Sequence, residues 1–148
     1  MDDQKSQFLN PNLILKQVEI KPGMQVGDLG CGSGYISLAL AQAVGEKGKV
    51  YSVDIQKDVL DQVKKEAQAQ NINNLVPVWS DLEVIGAAKI QNNILDRIFL
   101  ANVLFQVEDK RAVFAEIFRV LKPGGELFFS DIFSGRRIPD PLKEDRVL

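Results

Sequence analysis

The stretch Val26-Gly27-Asp28-Leu29-Gly30-Cys31-Gly32-Ser33-Gly34 packs an acid and three alternating glycines into a few residues. Glycine lets the backbone turn sharply and approach a bound group closely, because no side chain occupies that space. The N–H groups of a helix opening just after such a loop face whatever sits there. Dinucleotide dehydrogenases use the spacing G-x-G-x-x-G to cradle a pyrophosphate. Here the third glycine arrives one residue early and Asp28 stands two residues before the first, so a cationic or donor-rich ligand suits the loop better than a diphosphate. A glycine turn present for packing alone is the plainer reading, and the coincidence of an acid, three spaced glycines and a strand-turn-helix setting argues against it. Asp54 is the second candidate. An acid closing the second strand of such a unit accepts ribose hydroxyls, although an Asp there also commonly caps the next helix.

These residues need a scaffold, and the flanking pattern supplies one. Gln25–Leu29 reads as the first strand and Tyr35–Val44 as the first long helix, with Gly45 and Gly48 around the following turn. Lys49–Asp54 is a second strand, and Lys57–Gln70 a helix with Val59, Leu60, Val63 and Ala67 on its apolar side. Leu75–Trp79 is a third strand, Glu83–Ile90 a weaker helical segment and Asp96–Ala101 a fourth strand. Lys110–Leu121 is helical by the spacing of Val113, Ile117, Val120 and Leu121. Lys122-Pro123-Gly124-Gly125 stops it, and Glu126–Asp131 is a fifth strand. A short helix capped by Asn10-Pro11 runs ahead of all this, over Asn12 to Val18, and Lys21-Pro22-Gly23 ends it. Strands alternating with helices predict an α/β fold around a parallel sheet.

At 148 residues and 45% hydrophobic content the chain has material for one core, so residues 1–148 are expected to form a single domain. A net charge of −2 and a pI near 5.2 give no overall basic field to gather nucleic acid. The absence of histidine excludes His-based dyads and most zinc sites, so no metal is expected, and the single Cys31 cannot form an internal disulfide. Met1-Asp2-Asp3-Gln4-Lys5 lacks the layout of a secretory signal, and no apolar run approaches the roughly 20 residues that span a bilayer. A cytoplasmic, reducing setting away from membranes is expected.

From about Met24 to Ile132 the sequence resembles the class I methyltransferases that use S-adenosylmethionine, and it is most similar to the branch containing arsenite and ubiquinone-biosynthesis methyltransferases. The resemblance implies a Rossmann-like, doubly wound, mainly parallel sheet of strand order 3-2-1-4-5, with S-adenosylmethionine as cofactor and S-adenosylhomocysteine as product. It places Asp28, Gly30, Cys31, Gly32, Gly34, Asp54 and Ile55 against the cofactor. In Ser80-Asp81-Leu82, Asp81 would accept from the adenine amine and Leu82 would face the ring, while capping a helix is the plainer role for Asp81. Asp96-Arg97-Ile98-Phe99-Leu100-Ala101-Asn102 resembles the family's fourth motif, putting Asn102 beside the cofactor's transferring methyl, where closing a loop is an equally good account of an Asn. Asp131 is the first candidate for a base, if one is needed, although a turn or ion-pair acid is the commoner role. Tyr35 and Phe105 are candidate walls of the methyl pocket, with ordinary core the commoner fate of aromatics. Arg119-Val120-Leu121-Lys122-Pro123-Gly124-Gly125 matches a structural connector.

Two departures stand out. Gly27 sits where the family has a larger apolar residue, which weakens a strand. Family members also continue past the fifth strand into a helix and an antiparallel hairpin, for which Ile132–Leu148 is too short, so these C-terminal strands are expected to be missing or incomplete. The Glu126–Asp131 edge, with Leu127, Phe128 and Phe129, then invites a homodimer through the strand or through exchange of the tail, unless Arg136, Arg137 and Pro139 shield it. The acceptor is expected to be a small molecule rather than RNA or protein, and thiol coordination of arsenic would call for more than Cys31. A protein that binds S-adenosylmethionine or S-adenosylhomocysteine without transferring a methyl group is the alternative, and a nicotinamide-dependent oxidoreductase is disfavoured by the glycine spacing.

Overall fold

A computed structural model describes residues 11–101, 103 and 107–130. Its elements are α1 (Pro11–Gln17), β1 (Gln25–Leu29), α2 (Tyr35–Val44), β2 (Lys49–Asp54), α3 (Lys57–Ala69), β3 (Leu75–Trp79), β4 (Leu95–Ala101), α4 (Lys110–Val120) and β5 (Leu121–Ser130). The strands form one sheet in the order β3-β2-β1-β4-β5, every pairing parallel, which is the doubly wound Rossmann-like arrangement the resemblance implies. A parallel sheet is covered on both faces, so its strands carry apolar side chains on alternate sides. Val26, Val50 and Phe99 pack with Leu40, Ala41 and Val44 of α2. Leu29, Val53, Ile98 and Leu100 point the other way and meet Val113, Ile117 and Val120 of α4. Leu60 and Val63 of α3 pack on Cys31, with Leu75 against them. Among the described residues no helix is long and apolar enough to cross a membrane.

Two local readings are corrected. Glu83–Ile90 is a series of turns rather than a helix. Gly86 takes a left-handed φ of 81°, and Glu116 and Arg119 of α4 draw the segment's backbone groups into tertiary bonds that a helix would need for itself. Leu121 does not continue α4: its backbone is already extended, and it opens β5 by pairing with Leu95. The register then shifts, Arg97 facing Glu126, so Lys122–Gly125 bulges within the strand instead of preceding it. At Gly27 a Cβ would lie 2.9 Å from Leu95 Cδ1, so a larger residue there would need the Leu95 side chain of β4 to give way. Asn10, Asn102, Phe105, Asp131 and the tail from Ile132 lie outside the described residues.

Sequence order reverses at the β1/β4 pair, and in open α/β sheets the crevice at the carboxyl ends of the strands beside such a reversal is where ligands bind. Here the ends of β1, β2 and β3 bring Asp28, Asp54 and Ser80 to one side of the molecule.

Candidate functional site

A cavity of about 450 Å³ lies at this crevice, within the usual size range of small-molecule sites. Its walls include Asp28, Gly30, Cys31 and Gly32 from the glycine loop, Asp54, Ile55 and Gln56 after β2, Ser80, Asp81, Leu82 and Glu83 after β3, and Val103 and Val107. Eight of the nine described cofactor candidates are therefore neighbours, although they come from three separate loops. Gly34 is the exception.

Gly34 explains itself by packing. Its φ is +82°, and a Cβ would lie 2.4 Å from Val63 Cγ2, so only glycine lets α2 start this close to α3. Gly32 is the opposite case: it also has a left-handed φ, +54°, but a Cβ there would meet nothing within 4 Å. It borders open space in the cavity wall.

Asp28 differs from the expectation of an acid at an open tip. It is 1% exposed and accepts a 2.6 Å hydrogen bond from the Ser37 hydroxyl, which in turn accepts one from Ser52 at 2.7 Å. The start of α2 thus meets a carboxylate of the chain itself. Burial pushes the Asp28 carboxyl up from 3.8 to about 6, opposed by the Ser37 hydroxyl and reinforced by Asp54. The Cys31 thiol is also driven upward, by burial first and then by Asp28 and Asp54, so it stays protonated. The Tyr35 hydroxyl, on the cavity wall, is raised by burial and by Asp28.

Asp54 ties the site together. Its Oδ2 accepts from the Gly32 N–H at 3.2 Å and its Oδ1 from the Gln56 N–H at 2.9 Å. Its own carbonyl accepts from the Ser80 N–H at 3.0 Å. A carboxylate offers about four acceptor positions, so two bonds leave capacity for a pair of hydroxyls. Asp81 Oδ1 accepts from the Glu83 N–H at 2.9 Å, closing a turn where a helix cap was the plainer expectation. Trp79 donates its indole N–H to the Ile55 carbonyl at 2.7 Å and so pins the rim.

Sequence reasoning missed the brace behind the third loop. Glu116, 1% exposed, accepts from the N–H groups of Gly86 and Ala88 and pairs with Arg119 Nε. Arg119 then donates to the carbonyls of Ala88 at 2.8 Å and Ile90 at 2.7 Å. Glu83 adds a second tie by accepting from the Glu108 and Asp109 N–H groups. An acid on the inward stripe of the Lys110–Val120 helix was the available signal.

Comparison with known proteins gives this architecture a family. Residues 20–147 match the methyltransferase domain family. Human arsenite methyltransferase is 35% identical over 127 residues, covering 82% of this chain and 34% of that enzyme. Demethylmenaquinone methyltransferase of Oceanobacillus iheyensis is 31% identical over 113 residues, 76% of this chain and 46% of that protein. The chain thus spans less than half the length of these curated relatives. A SAM-dependent methyltransferase from Aquifex aeolicus superposes with a TM-score of 0.76 at 29% identity, over 86% of this chain and 66% of that one. The chain belongs to the methyltransferase domain family and has the fold of its S-adenosylmethionine-dependent members.

Proposed function

We propose that residues 1–148 form one S-adenosylmethionine-binding domain that transfers a methyl group to a small organic molecule. The observation that carries this reading is the cavity lining, where an open glycine cradle meets four acids, Asp28, Asp54, Asp81 and Glu83, with no Lys or Arg among the described lining residues. That composition repels a diphosphate and suits a ligand with an ammonium group, a sulfonium and ribose hydroxyls. The buried, unpartnered Ser80 hydroxyl and the open space at Gly32 also fit a polar ligand lodged here.

Bound S-adenosylmethionine supplies the activated methyl group, carried on a sulfonium that is a good leaving group. The chain's part is then to bind, align and keep water out, which alone accounts for several kcal/mol of barrier lowering. Gly30, Cys31 and Gly32 shape the cradle, Asp54 holds the ribose, and Ile55, Asp81 and Leu82 surround the adenine. Gly34 holds the loop's form from behind. We assign Asn102 and Asp131 to the acceptor side, with Asp131 as proton acceptor if the substrate needs one.

Among these 148 residues Cys31 is the one cysteine, and its buried thiol is held protonated, so this stretch alone offers no pair of thiols to coordinate arsenic. A free thiol of this kind also agrees with a cytoplasmic setting. Pairing through β5, the last strand in the order β3-β2-β1-β4-β5, completes the proposal; light scattering across a concentration series tests it, and a monomeric mass throughout refutes it.

Calorimetry with S-adenosylmethionine, S-adenosylhomocysteine and NAD tests the cofactor. The first two should bind and NAD should not. Asp54→Ala should weaken binding at least about tenfold, because two hydrogen bonds to a charged acceptor are lost. Unchanged affinity would show that the cofactor lies elsewhere. Labelled cofactor incubated with fractionated extract then separates transfer from mere binding and reports the acceptor's class.

A further inference from the structure

Two loops that wall the cavity are joined by one carboxylate. Glu83 follows Asp81 and Leu82 on the loop after β3, and its Oε1 accepts from the Glu108 N–H at 2.8 Å and from the Asp109 N–H at 2.7 Å. Bonds to an ionised acceptor are stronger than those of a neutral pair. Glu108 and Asp109 end the connection from β4 to α4, and Val103 and Val107 of that connection line the same cavity as Glu83. A carboxylate facing N–H groups ahead of a helix also steadies the helix, but α4 has its own cap: Asp109 accepts from the Ala112 N–H at 3.1 Å. Among the described residues, the other hydrogen bonds of Val107 and Asp109 stay within the first turn of α4, so the reach to another cavity loop is made by Glu83.

Resting on the cofactor reading above, we propose that Glu83 is a positioning residue for methyl transfer: its carboxylate locks the wall carrying Val103 and Val107, next in the chain to Asn102, onto the loop assigned to the nucleoside, so that the arriving cofactor also sets the acceptor side of the site. Leu82, Val103 and Val107 share one apolar cluster. Apolar contact is non-directional, whereas two hydrogen bonds to one oxygen fix both distance and angle. In-line transfer depends on that alignment, since a misplacement of about 1 Å costs on the order of 100-fold in rate.

Three variants separate reach from charge. Glu83→Gln loses the charge and keeps an oxygen at the same reach, Glu83→Asp keeps the charge and is one methylene too short, and Glu83→Ala loses both. Amide exchange at Glu108 and Asp109 is followed by NMR with and without S-adenosylhomocysteine, alongside the affinity for that ligand. In the wild type the ligand should slow exchange at these amides at least about fivefold, although they lie on a different loop from Asp81 and Leu82. Glu83→Gln should keep most of that slowing, and Glu83→Asp and Glu83→Ala should lose it. At equal charge, Glu83→Ala should also bind about three- to tenfold more weakly than Glu83→Gln, because the ligand must then order the second wall itself. With the wild type binding, the inference alone is overturned if the ligand leaves these amides unaffected, if Glu83→Ala keeps the slowing, if Glu83→Gln fails to restore it, or if Glu83→Ala and Glu83→Gln bind equally well. Should Glu83→Ala not fold, the contrast between Glu83→Asp and Glu83→Gln decides the same question. A wild type that does not bind S-adenosylhomocysteine overturns the cofactor reading and the inference with it.

Discussion

Asp28 should make the stability of the ligand-free protein fall as pH rises through the weakly acidic range. The carboxyl is buried, its side-chain partner is the neutral Ser37 hydroxyl, and its pKa is about 6 instead of 3.8. A raised carboxyl pKa means that the folded chain holds the proton more tightly than the unfolded chain does. Its contribution is therefore complete below about pH 4 and is lost as pH climbs through 6. The difference of about two pH units, at ~1.4 kcal/mol each, corresponds to roughly 3 kcal/mol of strain at neutral pH. Asp28→Asn keeps the shape, keeps an oxygen for Ser37 and never ionises, so it should match the wild type near pH 4 and exceed it by about 1 to 3 kcal/mol at pH 7.5. For a chain of this size that is a rise in melting temperature of several degrees. Melting both proteins between pH 4 and 8 and plotting the difference cancels the other titrating groups. Parallel curves would refute the assignment of a costly buried charge. The same variant should bind S-adenosylmethionine more weakly at pH 7.5, since it removes a negative charge from the cavity wall.

Other substitutions separate scaffold from cradle. Gly34→Ala combines a left-handed φ with a 2.4 Å approach to Val63 and should cost about 2 to 5 kcal/mol in urea unfolding. Gly32→Ala has the φ penalty but open space around its new methyl, so it should cost only about 1 to 2 kcal/mol while weakening cofactor binding more than it weakens the fold. Glu116→Ala strips two backbone N–H groups and Arg119 of a buried partner; unfolding should show a loss of about 3 to 5 kcal/mol, and hydrogen exchange should quicken across residues 83–90.

Legibility in the sequence tracked how locally each feature is determined. The glycine loop declared itself because its conformation is a property of its own residues, and Asp54 because its place follows from one strand and one turn. Strand order could be expected once alternation and the resemblance were joined. Glu83–Ile90 failed as a helix because its competitors, Glu116 and Arg119, lie on another element and have no local signature. Asp28 was recognised as part of the site, but its depth was not, since that depends on Ser37 and Ser52 arriving from α2 and β2. Ser80 was visible only as a neighbour of Asp81; its missing partner is a fact of three dimensions.

Several unfavourable features gather at one place. Buried Asp28 beside Asp54, unpartnered Ser80 and the left-handed Gly32 all line the same cavity, whereas Val26, Leu40, Ile98 and Ile117 fill the sheet faces with no exposure at all. Natural folds break local rules where function demands it and recover the stability elsewhere. The cavity's third wall has no secondary structure of its own between β3 and β4, and it is held by side chains of α4 rather than by its own ladder. If the cofactor binds here as proposed, it would relieve these groups and fasten that wall from inside, linking cofactor affinity to stability through the same residues. On that proposed reading the α4 brace would act on binding as well as on folding: Glu116 and Arg119 hold Gly86, Ala88 and Ile90 in place, and without them the ligand would have to order this wall at its own expense.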